Sequence, residues 1–180
     1  RFSEDGDLTF VGGLEADGDI GLADGLKLGF AAAYTDAKYT SNIVDLSLQT
    51  GIPGYTIPFD SYPDTPKYTG SLYTDITLPT PESLGKMSIR SDFFYQTSTF
   101  FSSNEGSITP RTKLKGYTTA NVRFGWDEIM QSPVSLGLYA KNVFDKFYYQ
   151  SGYVEGASGG FNTALPGEPR TLGAELSVKF

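Results

Sequence analysis

Thr171-Leu172-Gly173-Ala174-Glu175-Leu176-Ser177-Val178-Lys179-Phe180 ends the sequence and decides how the rest of it is read. Leu172, Ala174, Leu176, Val178 and Phe180 occupy alternate positions, with Thr171, Gly173, Glu175, Ser177 and Lys179 between them. Successive side chains of a β-strand point to opposite faces. Unbroken period two along this stretch therefore describes a strand with one apolar and one polar face. A helix would scatter both sets around its axis.

The same alternation recurs upstream. Val134, Leu136, Leu138 and Ala140 interleave with Ser135, Gly137, Tyr139 and Lys141, and Thr118, Ala120, Val122, Phe124 and Trp126 with Tyr117, Thr119, Asn121, Arg123 and Gly125. Met87, Ile89, Phe93 and Tyr95 share a face opposite Arg90 and Asp92. Leu72, Thr74, Ile76 and Leu78 oppose Ser71, Tyr73, Asp75 and Thr77, and Leu26, Leu28, Phe30, Ala32 and Tyr34 oppose Lys27, Gly29, Ala31, Ala33 and Thr35. A weaker strand covers 8–18, with Glu15 and Asp17 on its polar face. This predicts about seven strands of roughly 10–15 residues, longer than the ~5–6 usual in soluble proteins and long enough to cross a bilayer at a tilt.

The expected connections, residues 19–24, 40–65, 79–85, 100–111, 127–133 and 149–169, alternate short and long. An outer-membrane barrel has short periplasmic turns and long outer loops, so the last strand is expected to end in the periplasm. Lys27, Asp75, Arg90, Asp92, Arg123, Lys141, Glu175 and Lys179 all fall on the polar phase. A barrel lumen tolerates such charges, whereas mid-membrane lipid penalises each by ~2–4 kcal/mol. Asn121, on that phase, is expected to tolerate substitution. Trp126 and Phe180 are placed at the periplasmic boundary, and Tyr34 and Tyr95 at the outer one, where aromatic girdles sit.

Composition narrows the chemistry. The chain of 180 residues has 21 Gly, 12 Tyr and 13 Phe, with neither Cys nor His. Disulfides, thiol nucleophiles and the commonest general base are therefore unavailable. The net charge of −7 argues against nucleic acid as a partner. No stretch approaches the ~18 apolar residues of a membrane helix. Arg1-Phe2-Ser3-Glu4-Asp5-Gly6-Asp7 is not a signal peptide, and without an initiator Met the chain reads as a piece of a longer protein. Asp17-Gly18-Asp19-Ile20-Gly21 starts like a calcium loop but lacks the third carboxylate, and Leu28 stands at the closing Glu position; it reads as a turn. Neither a cofactor nor a catalytic or metal-ligating set is expected.

Two stretches, Lys141-Asn142-Val143-Phe144-Asp145-Lys146-Phe147-Tyr148-Tyr149 and Pro166-Gly167-Glu168-Pro169-Arg170-Thr171-Leu172-Gly173, resemble the closing segment of TonB-dependent outer-membrane receptors. Val143 and Leu172 depart from that family's usual Leu and aromatic without changing strand phase. Gly13-Leu14-Glu15-Ala16-Asp17 and Pro66-Lys67-Tyr68 resemble later strands of the family more weakly. Asn142 and Asp145 are expected to bond backbone groups where the strand leaves the membrane. Pro166-Gly167 is turn chemistry, and Pro169 enters a strand without needing a ladder donor.

The resemblance implies an all-β fold, a transmembrane antiparallel up-and-down β-barrel of about 22 strands around an N-terminal plug. Residues 1–180 would form its C-terminal portion, about a third of the barrel, since single-chain bacterial barrels have even strand numbers and seven is odd. The implied function is non-enzymatic: active uptake of a scarce ligand (siderophore, vitamin or glycan) across the outer membrane of a Gram-negative bacterium, with TonB-coupled energy. Implied partners are outer-membrane lipid, the small-molecule ligand, the TonB complex through the absent N-terminal region, and the barrel-assembly machinery. Tyr148, Tyr153 and Phe161 in the last long loop are the ligand-contact candidates, because their rings can stack on a sugar or an aromatic siderophore. The rival readings are a passive porin, a soluble β-sandwich that binds glycans, and a barrel enzyme disfavoured by the missing His.

Phe180 carries the assembly expectation, since the terminal aromatic of outer-membrane proteins is read by the assembly machinery. Burying one such ring is worth ~1.5–3 kcal/mol, a loss that a large barrel survives. Deleting Phe180 from the full-length receptor is therefore expected to cut outer-membrane abundance far more than it lowers the unfolding midpoint of the barrels that form. Normal abundance with a lowered midpoint would reduce Phe180 to a packing residue.

Overall fold

The computed structural model describes residues 9–39, 43–45, 47–58, 61–103, 111–155 and 159–179. Its strands, in chain order, are β1 (Thr9–Ala23), β2 (Leu26–Tyr39), β3 (Ile43–Asp45), β4 (Thr56–Pro58), β5 (Tyr68–Thr77), β6 (Lys86–Gln96), β7 (Thr99–Phe100), β8 (Lys113–Leu114), β9 (Tyr117–Asp127), β10 (Val134–Lys141), β11 (Tyr149–Glu155), β12 (Phe161–Pro166) and β13 (Thr171–Val178). One antiparallel sheet contains seven of them in the order β1-β2-β5-β6-β9-β10-β13. Each long strand pairs with the next long strand along the chain, which makes the sheet an up-and-down meander. The other six form three hairpins, β3–β4, β7–β8 and β11–β12.

Register keeps the alternation in phase across the sheet. One row runs Leu26, Ile76, Ile89, Phe124, Leu138, Ala174 over six strands, each residue directly opposite the next. The adjacent row on the other face runs Lys27, Asp75, Arg90, Arg123, Tyr139, Gly173. A slip of one residue at any junction would have exchanged the faces beyond it. β6 and β9 each have 11 residues. At ~3.3 Å per residue and a ~40–45° tilt they would rise ~26 Å, the height of an outer-membrane barrel's apolar band.

Among the described residues nothing packs over the apolar face. Leu14, Ile20, Val122, Leu138, Leu172 and Leu176 all lie exposed on it, Leu14 and Leu172 to 76% and 73%. Among the described residues the only buried hydrophobic ones are Leu114 and Ala120. The accessible surface is 12283 Å². A compact monomer of 19.5 kDa would expose roughly 8,500 Å² by the usual scaling with mass. Burial is instead concentrated at one end, where Ser61, Thr99, Ser102, Thr112 and Asn142 are enclosed among the long connections.

One sequence-based expectation needs correction here. The first connection is not 19–24: β1 continues to Ala23, and the turn is Asp24-Gly25, with Gly25 at φ 75. Glycine takes that left-handed conformation without the steric cost a side chain would meet. Asp17-Gly18-Asp19-Ile20-Gly21 lies inside β1 and is no turn. Each of the long connections contributes a hairpin. Two are joined directly: Ser61 Oγ donates to the Ser102 carbonyl at 2.7 Å, and Asp64 N–H to the Phe100 carbonyl at 2.7 Å.

Candidate ligand-contact loops and polar wall

The polar face of the sheet carries a connected set of charges. Lys27 Nζ lies 3.1 Å from Asp19 Oδ2. The Tyr73 hydroxyl donates to the same carboxylate, and Arg90 covers the Tyr73 ring at 4.4 Å. Arg90 also meets Asp75 at 3.1 Å and Asp92 at 3.0 Å, while Arg123 Nη2 reaches Glu175 at 2.7 Å. These side chains are about half exposed. Exposed pairs of this kind are worth ~0–1 kcal/mol each, so their main effect is to hold the long side chains flat. Gly29, directly opposite Tyr73, makes room: a Cβ there would collide with the ring. The wall is a polar, water-accessible surface with its fixed charges largely matched within it. No group of three His, Cys, Asp or Glu among the described residues is placed to hold a metal ion.

At the two ends, aromatic residues bound the apolar face. Trp126 Nε1 donates to the Leu84 carbonyl in the short connection at 2.7 Å. At the loop end Tyr34 sits opposite Tyr68 with ring centres 5.3 Å apart, and Tyr68 and Tyr95 are each 48% exposed. Ring bodies against an apolar band with polar atoms at its edge are the arrangement that a membrane interface favours. Phe180 lies outside the described residues.

The two sequence motifs meet in space at Asn142. Its backbone has φ 45, a left-handed conformation that Asn tolerates better than most residues. Its side chain is enclosed. Nδ2 donates to the Lys146 carbonyl at 2.9 Å and to the Glu168 carbonyl at 3.0 Å, and Oδ1 accepts from the Lys146 N–H at 2.9 Å. The Asn142 N–H in turn donates to Asn121 Oδ1 at 3.0 Å. Asn121 therefore has a structural partner, against the expectation that it tolerates substitution. Asp145 differs from expectation too. Its side chain binds Arg170, at 3.4 Å, rather than backbone, while its N–H bonds the Asn142 carbonyl. One amide thus clamps the exit of β10 to the entry of β13.

The three ligand-contact candidates separate into two groups. Tyr153 and Phe161 share one face of the β11–β12 hairpin, since Tyr153 pairs with Thr163 and Glu155 with Phe161. They are 67% and 58% exposed, beside Leu165 at 52%. The opposite face of the hairpin packs on the loops, with Phe101 against Gly152. Tyr148 stands apart: its ring stacks on Tyr117 at 4.1 Å and covers Gly167. Sequence reasoning passed over Phe144 and Phe147, which the clamp holds 64% and 71% exposed. Their position inside a motif read as structural concealed them.

No family model matches the chain, and no curated protein does. Solved structures do match it. The crystal structure of the ferric yersiniabactin uptake receptor FyuA of Yersinia pestis aligns at 18% identity with a TM-score of 0.73, over 96% of this chain and 24% of that one. The siderophore receptor PiuA of Acinetobacter baumannii aligns at 17% with 0.67, over 93% and 21%. The ferripyoverdine receptor of the outer membrane of Pseudomonas aeruginosa aligns at 19% with 0.65, over 93% and 19%. The chain spans a quarter or less of each of these proteins, and its fold is that of a part of them.

Asn142→Ala removes three side-chain hydrogen bonds from an enclosed position and leaves two carbonyls and an N–H without those partners. Orphaned buried groups cost ~1–3 kcal/mol each and relax in part, so a loss of about 2–4 kcal/mol is expected from urea unfolding of the full-length barrel in lipid. Unaltered stability would show that the Asn142 side chain does not hold the two segments together.

Proposed function

We propose that the chain is the C-terminal part of the barrel of a TonB-dependent receptor in the outer membrane of a Gram-negative bacterium. The observation that carries this reading is the single-layer sheet, apolar on one face and charged on the other from β1 to β13, aligning over 93–96% of its length with siderophore-receptor structures. In such a receptor the apolar face meets lipid and the polar wall lines the lumen. Barrel completion needs strands beyond these seven, because β1 and β13 each present an open edge and bilayer-embedded sheets leave none. The plug and the segment that contacts TonB belong to the N-terminal region.

The favoured ligand class within that reading is a ferric siderophore, the class that the aligned receptors' names carry. Tyr153 and Phe161 offer it two ring faces side by side on a loop hairpin, and Tyr148 supports the loop from below. Phe180 serves as the signal that the assembly machinery reads. Energy coupling separates this function from a passive porin, which shares the strand and loop pattern.

The test is uptake of radiolabelled ferric siderophore by cells that express the full-length receptor under iron limitation. Uptake is expected to saturate at low concentration and to stop when TonB is deleted. Tyr153→Ala with Phe161→Ala should weaken binding about tenfold or more, since stacking of one ring is worth ~0.5–1.5 kcal/mol beyond its area. Uptake that rises linearly with concentration and ignores TonB would assign the chain to a porin.

A further inference from the structure

Three large side chains of the polar face lie across a neighbouring strand, and each crosses it at a glycine. Tyr73 of β5 passes over Gly29 of β2, Arg123 of β9 over Gly137 of β10, and Tyr139 of β10 over Gly173 of β13. At each of these glycines a Cβ would collide with the group that crosses it. Gly29 and Gly137 are buried, and Gly173 is the one residue of β13 that is not exposed. Gly21, on the same face, gives the contrast: nothing comes within 4 Å of the place its Cβ would take.

Two of the three crossings end at a carboxylate. Asp19 stands directly opposite Gly29 on β1 and accepts from the Tyr73 hydroxyl. Glu175 stands directly opposite Gly137 on β13 and accepts from Arg123 Nη2 at 2.7 Å. The pattern is a donor on one strand, a glycine on the next, and a carboxylate opposite that glycine on the third. Donor and acceptor strands are roughly 9.5 Å apart, twice the spacing of neighbouring strands. A side chain in place of the glycine would lift the donor off the wall and out of reach.

The third crossing has its donor and its glycine but runs off the sheet. Tyr139 pairs directly with Gly173, and its Cζ and hydroxyl overlie that glycine much as the Tyr73 ring overlies Gly29. β13 is the last strand of the sheet, so the third position lies beyond its open edge. Among the described residues the Tyr139 hydroxyl has no hydrogen-bond partner.

We propose that the strand of the full-length receptor that pairs with β13 carries an Asp or Glu directly opposite Gly173, and that this carboxylate accepts from the Tyr139 hydroxyl and latches the seam. The latch rests on the outer-membrane reading given above, in which lipid leaves no strand edge unpaired. This chain spans a quarter or less of each aligned receptor, so there is length for such a strand outside it. The Arg123 guanidinium, on the residue directly opposite Tyr139, favours a negative partner over a positive one. The latch also sets register. A slip of one residue would turn the carboxylate to the lipid side. A slip of two would leave it opposite Thr171 or Glu175, away from the ring.

The test uses the full-length receptor in the outer membrane, in a cysteine-free background. One cysteine replaces Leu172, and a second is moved along the remaining strands until the pair cross-links on oxidation. Repeating the scan from Ala174 brackets the residue opposite Gly173. That residue is expected to be Asp or Glu, and any other residue there overturns the latch while leaving the barrel reading in place. Its replacement by Ala, and Tyr139→Phe, should each raise the unfolding equilibrium constant of the barrel in lipid about tenfold, with the double variant no worse than either alone. Additive losses, or no loss, also overturn the latch. The cross-linking scan needs no Tyr139 variant, so it stays decisive if Tyr139→Phe fails to fold. A receptor in which neither cysteine finds a partner has no strand on that edge, which removes the barrel reading and the latch with it.

Discussion

A sheet whose apolar phase stays in register through seven strands has a face that water cannot be left to cover. Everything else in the chain follows from that constraint. Among the described residues no second layer packs against the row Leu26, Ile76, Ile89, Phe124, Leu138, Ala174, and the two buried hydrophobic ones, Leu114 and Ala120, make no core. Exposed apolar patches on soluble monomers seldom exceed a few hundred Å². A face of this extent calls for a non-aqueous partner, and a bilayer fits both its strand lengths and the aromatic residues at its two borders.

The polar face and the loops answer complementary needs. Charges that lipid would reject are gathered on one side, where Asp19, Lys27, Tyr73, Asp75, Arg90 and Asp92 satisfy one another. With little packing available inside the sheet, rigidity at the loop end comes from hydrogen bonds. Asn142 joins two chain segments, and Ser61 and Asp64 join two long connections.

The sheet was legible in the sequence because period-two alternation survives wherever one face is apolar, and all seven phases agree with the register found. The first hairpin was misplaced because Asp17, Gly18, Asp19 and Gly21 have turn composition. In the fold Asp19 serves Lys27 and Tyr73 on the polar face, and Phe30 lies across from Gly18. The loop hairpins were not legible: their strands are short, and the Gly, Ser and Thr around them carry no sustained alternation. Asp145 was read correctly as a structural residue but with the wrong partner, since Arg170 is 25 positions away in the chain. Phe147 was hidden because a sequence motif does not reveal which of its aromatic residues point out.

Whether alternate residues of each long strand face lipid can be read from a label scan along β9. These 180 residues contain no cysteine, so single cysteines can be placed in turn from Thr118 to Trp126 without removing a native one. In full-length receptor reconstituted into vesicles, spin labels on these sites are compared for collision with oxygen, which partitions into lipid, and with a water-soluble nickel chelate. Strict alternation is expected: oxygen dominates at Thr118, Ala120, Val122, Phe124 and Trp126, and the chelate at Thr119, Asn121, Arg123 and Gly125. Uniform access of the chelate to both sets, or alternation in the opposite phase, would contradict it.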